Sequence, residues 1–216
     1  MSSEERLSEI AAEVSTCAKC GLCKGRTKAV PGEGNPHAKL LFIGEGPGYY
    51  EDKQGRPFVG PSGQLLEELL QSINLKRSDV FITNVVKCRP PENRDPLPDE
   101  VKACSDYLDR QIATLQPLVV VTLGRISMAK FFSGEKISAI HGRARKKDGY
   151  ICIPMFHPAA ALRTESYKIA LRDDFKKIPI VLAEAERLAA EAARKTPVPT
   201  PSAKKEEPPP AQLSLF

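Results

Sequence analysis

A run of four apolar residues, Leu40 to Ile43, is broken abruptly by Gly44, Gly46, Pro47 and Gly48. An apolar run of that length bounded by turn residues reads as a short buried strand. Further on, Leu65, Leu66, Leu69, Leu70 and Ile73 fall on one face of a helix. The connection between them is long, since a strand-to-helix loop usually runs about 2–6 residues. It carries Glu45, Glu51 and Asp52, then Phe58 between Pro57 and two more glycines, Gly60 and Gly63. Glycine allows positive φ and lets a ligand come close to the backbone. In an α/β sheet, ligands bind at the loops that follow the carboxyl ends of the strands. Gly44-Glu45-Gly46-Pro47-Gly48 lacks the dinucleotide spacing, and no Gly-Lys-Ser/Thr follows to make a phosphate loop. Loop length and composition therefore favour a pocket over a plain connection.

Three further apolar runs, 81–88, 118–124 and 150–156, read as strands, giving four in all. Helices are expected over 4–16, where Leu7, Ile10, Ala11 and Val14 recur at helical spacing, and over 101–115. A short helix is expected around Ile126–Phe132, and an alanine-rich helix over 173–195, interrupted near Pro179. A chain of 216 residues suits one α/β domain with appendages. The domain is expected over 1–195. Residues 196–211 are proline-rich and are expected to be a disordered linker. Gln212-Leu213-Ser214-Leu215-Phe216 then places three large apolar residues at the end of a segment with no core to enter. No apolar run approaches the ~18 residues of a membrane span, and the start has no charged-then-apolar leader pattern, so a cytoplasmic location is expected. The net charge of +5 is compatible with nucleic acid without requiring it.

Six cysteines fit metal ligation better than disulfides in a reducing compartment. Cys17-Ala-Lys-Cys20-Gly-Leu-Cys23 contains a C-x-x-C pair, which is either a metal or redox signal or a group of reduced surface thiols. Cys88 ends the 81–88 run, and Cys104 lies on the apolar face of the following helix. Cys17, Cys20, Cys88 and Cys104 can then close one site. Zinc is usually held by two closely spaced pairs. With only one close pair here, an iron–sulfur cluster suits the spacing somewhat better, and spacing alone leaves both open. Either would staple the N-terminal segment across a long stretch of chain. Cys23 and Cys152 are left over, Cys152 as a core thiol.

Asn84 interrupts an apolar run. A buried amide must find partners, whether a neighbouring backbone or the edge of a bound base. His157 stands at the end of the last strand, fixed by Pro158, on the same sheet edge as the Gly44 loop. A charged, proline-rich segment, 89–96, and a basic one, 141–147, fit either phosphate contacts or solvated connections.

Taken together, Gly44-Glu-Gly-Pro-Gly…Glu51-Asp52…Gly55-Arg-Pro-Phe58-Val-Gly, Thr83-Asn84-Val-Val-Lys-Cys88-Arg-Pro-Pro and His157-Pro-Ala resemble the family 4 uracil-DNA glycosylases. The likeness covers about residues 10–178. The family more commonly has Ala at the position of Gly46 and Ser at that of Ala159. The distinctive histidine loop of relatives that cross-link to DNA is not seen.

The resemblance implies a single α/β domain whose four-stranded, mainly parallel central sheet is flanked by helices. It implies a structural 4Fe–4S cluster on Cys17, Cys20, Cys88 and Cys104. It implies a uracil pocket of Glu45, Gly46, Phe58, Asn84 and His157, with His157, Asn84 and Glu45 catalytic. Glu45 or Glu51 would position water, because Gly46 offers no side chain where some related enzymes place an Asp. Ala159, Ala160, Leu162 and Arg163 would contact DNA. The implied activity is hydrolysis of the uracil–sugar bond in single- or double-stranded DNA by a nucleoid-associated monomer. Gln212, Leu213, Leu215 and Phe216 resemble the peptide by which bacterial proteins dock on the DNA polymerase sliding clamp.

Two rival readings remain. A non-catalytic, cysteine–metal DNA-binding module docking on the clamp leaves Phe58, Asn84 and His157 unexplained as a set. An electron-transfer protein leaves the basic charge and the tail unexplained.

Overall fold

The structure, a computed structural model, describes residues 1–147 and 149–195. The linker expected over 196–211 and the peptide at 212–216 lie outside the described residues. In chain order the elements are α1 (Ser3–Thr16), β1 (Glu33–Gly34), β2 (Leu40–Gly44), α2 (Tyr49–Gln54), α3 (Pro61–Ser72), β3 (Phe81–Asn84), α4 (Pro98–Leu115), β4 (Val119–Leu123) and α5 (Arg125–Ala129). There follow α6 (Ile137–Ile140), β5 (Arg145–Lys147), β6 (Tyr150–Met155), α7 (Pro158–Ala161), α8 (Glu165–Phe175) and α9 (Ile178–Lys195).

The strands form one sheet in the order β1-β3-β2-β4-β6-β5. Its centre is four parallel strands, β3-β2-β4-β6, as the apolar runs led one to expect. Two short antiparallel strands, β1 and β5, are added at the edges, so the described sheet has six strands and not four. Both escape a pattern search for physical reasons. Glu33–Gly34 is too short to show a period of two, and Arg145-Lys146-Lys147 is a polar edge whose lysines and arginine read as a charged loop.

The alternation of side chains across β2 divides the core. Leu41 and Ile43 pack with Ile10, Val14, Leu108 and Leu115 on one face. Leu40 and Phe42 pack with Leu66, Leu70, Leu171 and Phe175 on the other. Helices therefore cover both faces, the arrangement that parallel strands require. α1 begins at a capping box, in which Glu5 N–H donates to Ser2 Oγ (3.1 Å) and Ser2 N–H to Glu5 Oε2 (2.7 Å). The helix expected over 173–195 is two helices. The break falls just before Pro179, which sits in the first turn of α9, where its missing N–H costs nothing.

β3 is shorter than the apolar run that announced it. It ends at Asn84 because β2 ends opposite it at Gly44 and turns away. Val85 and Val86 keep contact through N–H bonds to Gly44 O and Glu45 O (3.0 and 3.1 Å). Cys88 thus lies four residues beyond the strand, not at its end. Among the described residues, no helix is long and apolar enough to cross a membrane.

Candidate active site

β2 pairs with β3 on one side and β4 on the other, so chain connections leave it in both directions. A crevice opens at such a switch point, beyond the carboxyl ends of the strands. Here it is a cleft of about 580 Å³. Each parallel strand delivers a residue to it: Glu45 and Gly46 after β2, Asn84 at the end of β3, Arg125 after β4 and His157 after β6.

Asn84 is 2 % exposed, and its Oδ1 is buried without a hydrogen-bond partner. Most buried polar atoms are paired, so an orphan in a cleft calls for a ligand. Gly44 sets its surroundings. A Cβ there would stand 2.4 Å from Asn84 Oδ1 and 2.7 Å from the Phe58 ring, so only glycine lets amide and phenyl share a wall.

Phe58 holds a positive φ of 50°, an uncommon conformation for a bulky residue. The surrounding loop enforces it. Arg77 donates to Phe58 O (3.0 Å) and to Pro57 O, and is itself paired to Glu33 at 2.7 Å. Glu51 Oε1 accepts the N–H groups of Val59 and Gly60, both at 2.9 Å. Gly63 passes so close that a Cβ would lie 1.9 Å from Phe58 O. Glu51 is thus committed to shaping the loop, which leaves Glu45 as the freer of the two carboxylates.

His157 stacks beside Phe58, with ring centroids 5.6 Å apart and planes 25° from parallel. Its Nδ1 accepts the Ala159 N–H at 3.0 Å. A neutral ring with Nδ1 accepting carries its proton on Nε2, which is then a donor. Burial pushes the imidazole pKa down to about 4, against an opposing pull from Glu51, so the ring is neutral at pH 7. Gly124, at φ +93°, makes room for it, since a Cβ there would meet His157 Cβ at 3.1 Å.

Glu45 has its pKa raised, first by burial and then by Asp95, while Arg125 pulls the other way. Asp95 is paired to Arg125. Neither was singled out in the sequence, because the loop containing Asp95 reads as a charged connector. Lys87 was also missed. It is 1 % exposed, and its Nζ donates to Thr83 Oγ1 (2.6 Å), Asn84 O (2.8 Å) and Gln111 Oε1 (2.7 Å). A single cation within Val85-Val86-Lys87-Cys88 was the available signal. Ala159, Ala160 and Arg163 line the cleft, and Leu162 beside them is 47 % exposed. In the basic 141–147 segment, His141 Nδ1 lies 2.7 Å from Asp174 Oδ2, and Arg145, in the edge strand, pairs with Glu135.

Cys17, Cys20, Cys88 and Cys104 line a second cavity, walled by α1, α4 and the segment after β3, and Cys23, left over in the sequence, lines it as well. Burial raises the thiol pKa values of Cys20, Cys88 and Cys104, opposed by the Leu22 backbone, Arg26 and Lys87 respectively, with smaller upward pushes from neighbouring cysteines. Such a set is poorly tolerated as bare thiolates and suited to a cationic centre. Arg26 donates to Cys88 Sγ at 3.4 Å. Among the described residues, no group of three or more His, Cys, Asp or Glu is placed to hold a metal ion. Cys152 is fully buried in the core.

With switch-point cleft and cysteine cavity on one α/β sheet, the architecture is that of a base-excision glycosylase, and residues 31–179 match the family model described as the uracil DNA glycosylase superfamily. The chain belongs to that superfamily and, within it, to the type-4 uracil-DNA glycosylases. A type-4 uracil-DNA glycosylase of Sulfurisphaera tokodaii is 51% identical over 81% of this chain and 84% of its own length. Those of Archaeoglobus fulgidus and Thermotoga maritima are 45% and 46% identical, over 81% and 78% of this chain and 92% and 90% of theirs.

Proposed function

We propose that the protein removes uracil from DNA by hydrolysing its bond to deoxyribose, leaving an abasic site for base excision repair. The observation that carries this reading is the unpaired Asn84 Oδ1, set beside the Phe58 ring and the Nε2–H of His157 in one cleft. A base within a duplex is out of reach, so it must be turned out of the stack at a cost of a few kcal/mol. Stacking on Phe58 returns about 1–3 kcal/mol. The Asn84 amide accepts from uracil N3–H through Oδ1 and donates to O4. Cytosine presents the reverse pattern and leaves both sides unpaired.

As the sugar–base bond breaks, positive charge grows on the sugar and negative charge on the base. The Nε2–H of His157 donates to the base oxygen that gains charge, stabilising the transition state more than the ground state. Gly46 contributes only backbone, so the path is largely dissociative, with Glu45 positioning the water that adds to the sugar. Ala159, Ala160, Leu162 and Arg163 form the edge that enters the duplex, with exposed Leu162 as the wedge.

Cys17, Cys20, Cys88 and Cys104 would hold a 4Fe–4S cluster, which supplies a structural cross-link remote from the chemistry. The spacing of the four cysteines along the chain, one close pair and two distant residues, suits a cluster somewhat better than a single zinc ion. Residues 1–195 form the catalytic unit, and 196–211 tether the clamp-like peptide Gln212-Leu213-Ser214-Leu215-Phe216, in a cytoplasmic, nucleoid-associated enzyme. Deleting 212–216 is expected to abolish binding to the sliding clamp and leave activity on short oligonucleotides intact.

The deciding experiment incubates an oligonucleotide containing one deoxyuridine with the protein in EDTA, followed by alkali and a sizing gel, beside Asn84→Ala. Cleavage at the uracil by the wild type alone supports the reading. No cleavage by wild-type protein with its iron–sulfur absorbance intact leaves a non-catalytic DNA-binding module in its place.

A further inference from the structure

α2 presents two different sides. Its acidic residues face inward and are consumed there: Glu51 accepts from Val59 and Gly60, and Asp52 Oδ1 accepts the Thr27 N–H at 2.8 Å. Its outer side carries Tyr49, Tyr50, Lys53 and Gln54. Tyr49 and Tyr50 are 50% and 52% exposed, packed edge to face with centroids 5.5 Å apart. Two cations stand over the Tyr49 ring, Lys53 Nζ at 5.8 Å and the Arg89 guanidinium at 5.3 Å. Arg89 also donates to Asn93 Oδ1 at 2.8 Å, and Asn93 lines the cleft. On the other flank, Gly48 lines the cleft immediately before Tyr49. The tyrosines therefore sit between two cleft-lining residues, Gly48 and Glu51, on a face that shows aromatic rings and positive charge and has turned its carboxylates inward.

We propose that Tyr49 and Tyr50, with Lys53 and Arg89, form a subsite for an unpaired nucleotide next to the one in the cleft. The inference rests on the glycosylase reading for what occupies the cleft, and adds single-stranded DNA as the ligand of this neighbouring face. Two exposed rings accept a base by stacking, whatever its identity, and the cations meet its phosphates. A paired base is already stacked on its neighbours, so an intact duplex gains little from this face.

The test uses the full-length protein and a short single-stranded oligonucleotide with a tetrahydrofuran abasic residue. A 2-aminopurine, whose emission falls on stacking, is placed in turn at positions on either side of the abasic residue. Wild-type protein is expected to quench the probe on one side. The Tyr49→Ala/Tyr50→Ala double variant is expected to lose that quenching and to bind the single strand about tenfold more weakly, with duplex binding within about twofold. The Tyr49→Phe/Tyr50→Phe variant keeps both, because the rings remain. Lys53→Ala/Arg89→Ala lowers the salt dependence of single-strand binding by about two phosphate contacts.

Equal loss on single strand and duplex, or unchanged quenching in the double alanine variant, overturns the subsite. The glycosylase reading is checked separately by uracil release from the same variants at saturating oligonucleotide, which is expected to match wild type. Tyrosine-dependent quenching by protein that releases no uracil would uphold the subsite while removing the glycosylase reading.

Discussion

Acidification tests the electronic state on which the role of His157 depends. An ordinary histidine titrates near pH 6.5, whereas burial holds His157 down to about 4. That gap corresponds to about 3 kcal/mol opposing protonation of the folded ring. The sign follows from which state binds the proton. Between pH 6.5 and 4 the unfolded chain takes up a proton on this ring and the folded chain does not. Stability contributed here is therefore complete above pH 6.5 and is lost as the pH falls toward 4. The chain has three histidines, so nitrogen-detected NMR can follow all of them, with His157 assigned by its disappearance in His157→Gln. The expected spectrum at neutral pH has the His157 proton on Nε2, as the Ala159 N–H bond to Nδ1 demands. The ring is expected to titrate only near pH 4. Wild type is expected to lose up to about 3 kcal/mol relative to His157→Gln on going from pH 6.5 to 4, measured by denaturant unfolding. Titration at or above pH 6.5, or a proton on Nδ1, would refute the assignment of a neutral Nε2–H donor.

Three further outcomes are expected. Gly63→Ala drives a methyl against the Phe58 carbonyl, so the loop must move. A cost of about 1–3 kcal/mol in unfolding free energy and at least a tenfold fall in uracil release are expected; unchanged release would show that the backbone of Phe58 does not matter. Lys87→Met leaves Asn84 O, Thr83 Oγ1 and Gln111 Oε1 without their shared donor. A loss of about 2–3 kcal/mol of stability and weaker discrimination between uracil and cytosine are expected, read by denaturation and by competition between the two bases. Cys88→Ala is expected to lower the thermal midpoint and iron content together. Loss of activity with fold and DNA affinity intact would contradict a structural role for the cluster.

What could be read in the chain, and what could not, divides along physical lines. The four parallel strands were legible because strands buried on both faces are written as unbroken apolar runs, as in Val119-Val120-Val121. The edge strands were not, since Arg145–Lys147 pairs along one side only and needs no apolar face. Asn84 stood out as a polar residue within an apolar run, and His157 as a histidine at the end of a strand, fixed by Pro158. The residues that hold them did not, because their partners lie far along the chain. Arg77 reaches Phe58 and Pro57 across nineteen and twenty positions, and Lys87 reaches Gln111 across twenty-four. Lys87 ties the two cavities together. It lies beside Cys88, and its Nζ donates to the carbonyl of Asn84 while Val30 N–H bonds its own carbonyl at 2.8 Å. The segment after β3 thus runs from the Gly44 and Glu45 carbonyls, which accept the Val85 and Val86 N–H groups, to Lys87 and Cys88 on the wall of the cysteine cavity. Asn84 is thereby held through its carbonyl on the core side while its unpartnered Oδ1 lies at the cleft. On the proposed reading, discrimination at Asn84 comes from the cost of leaving a buried polar atom unpaired.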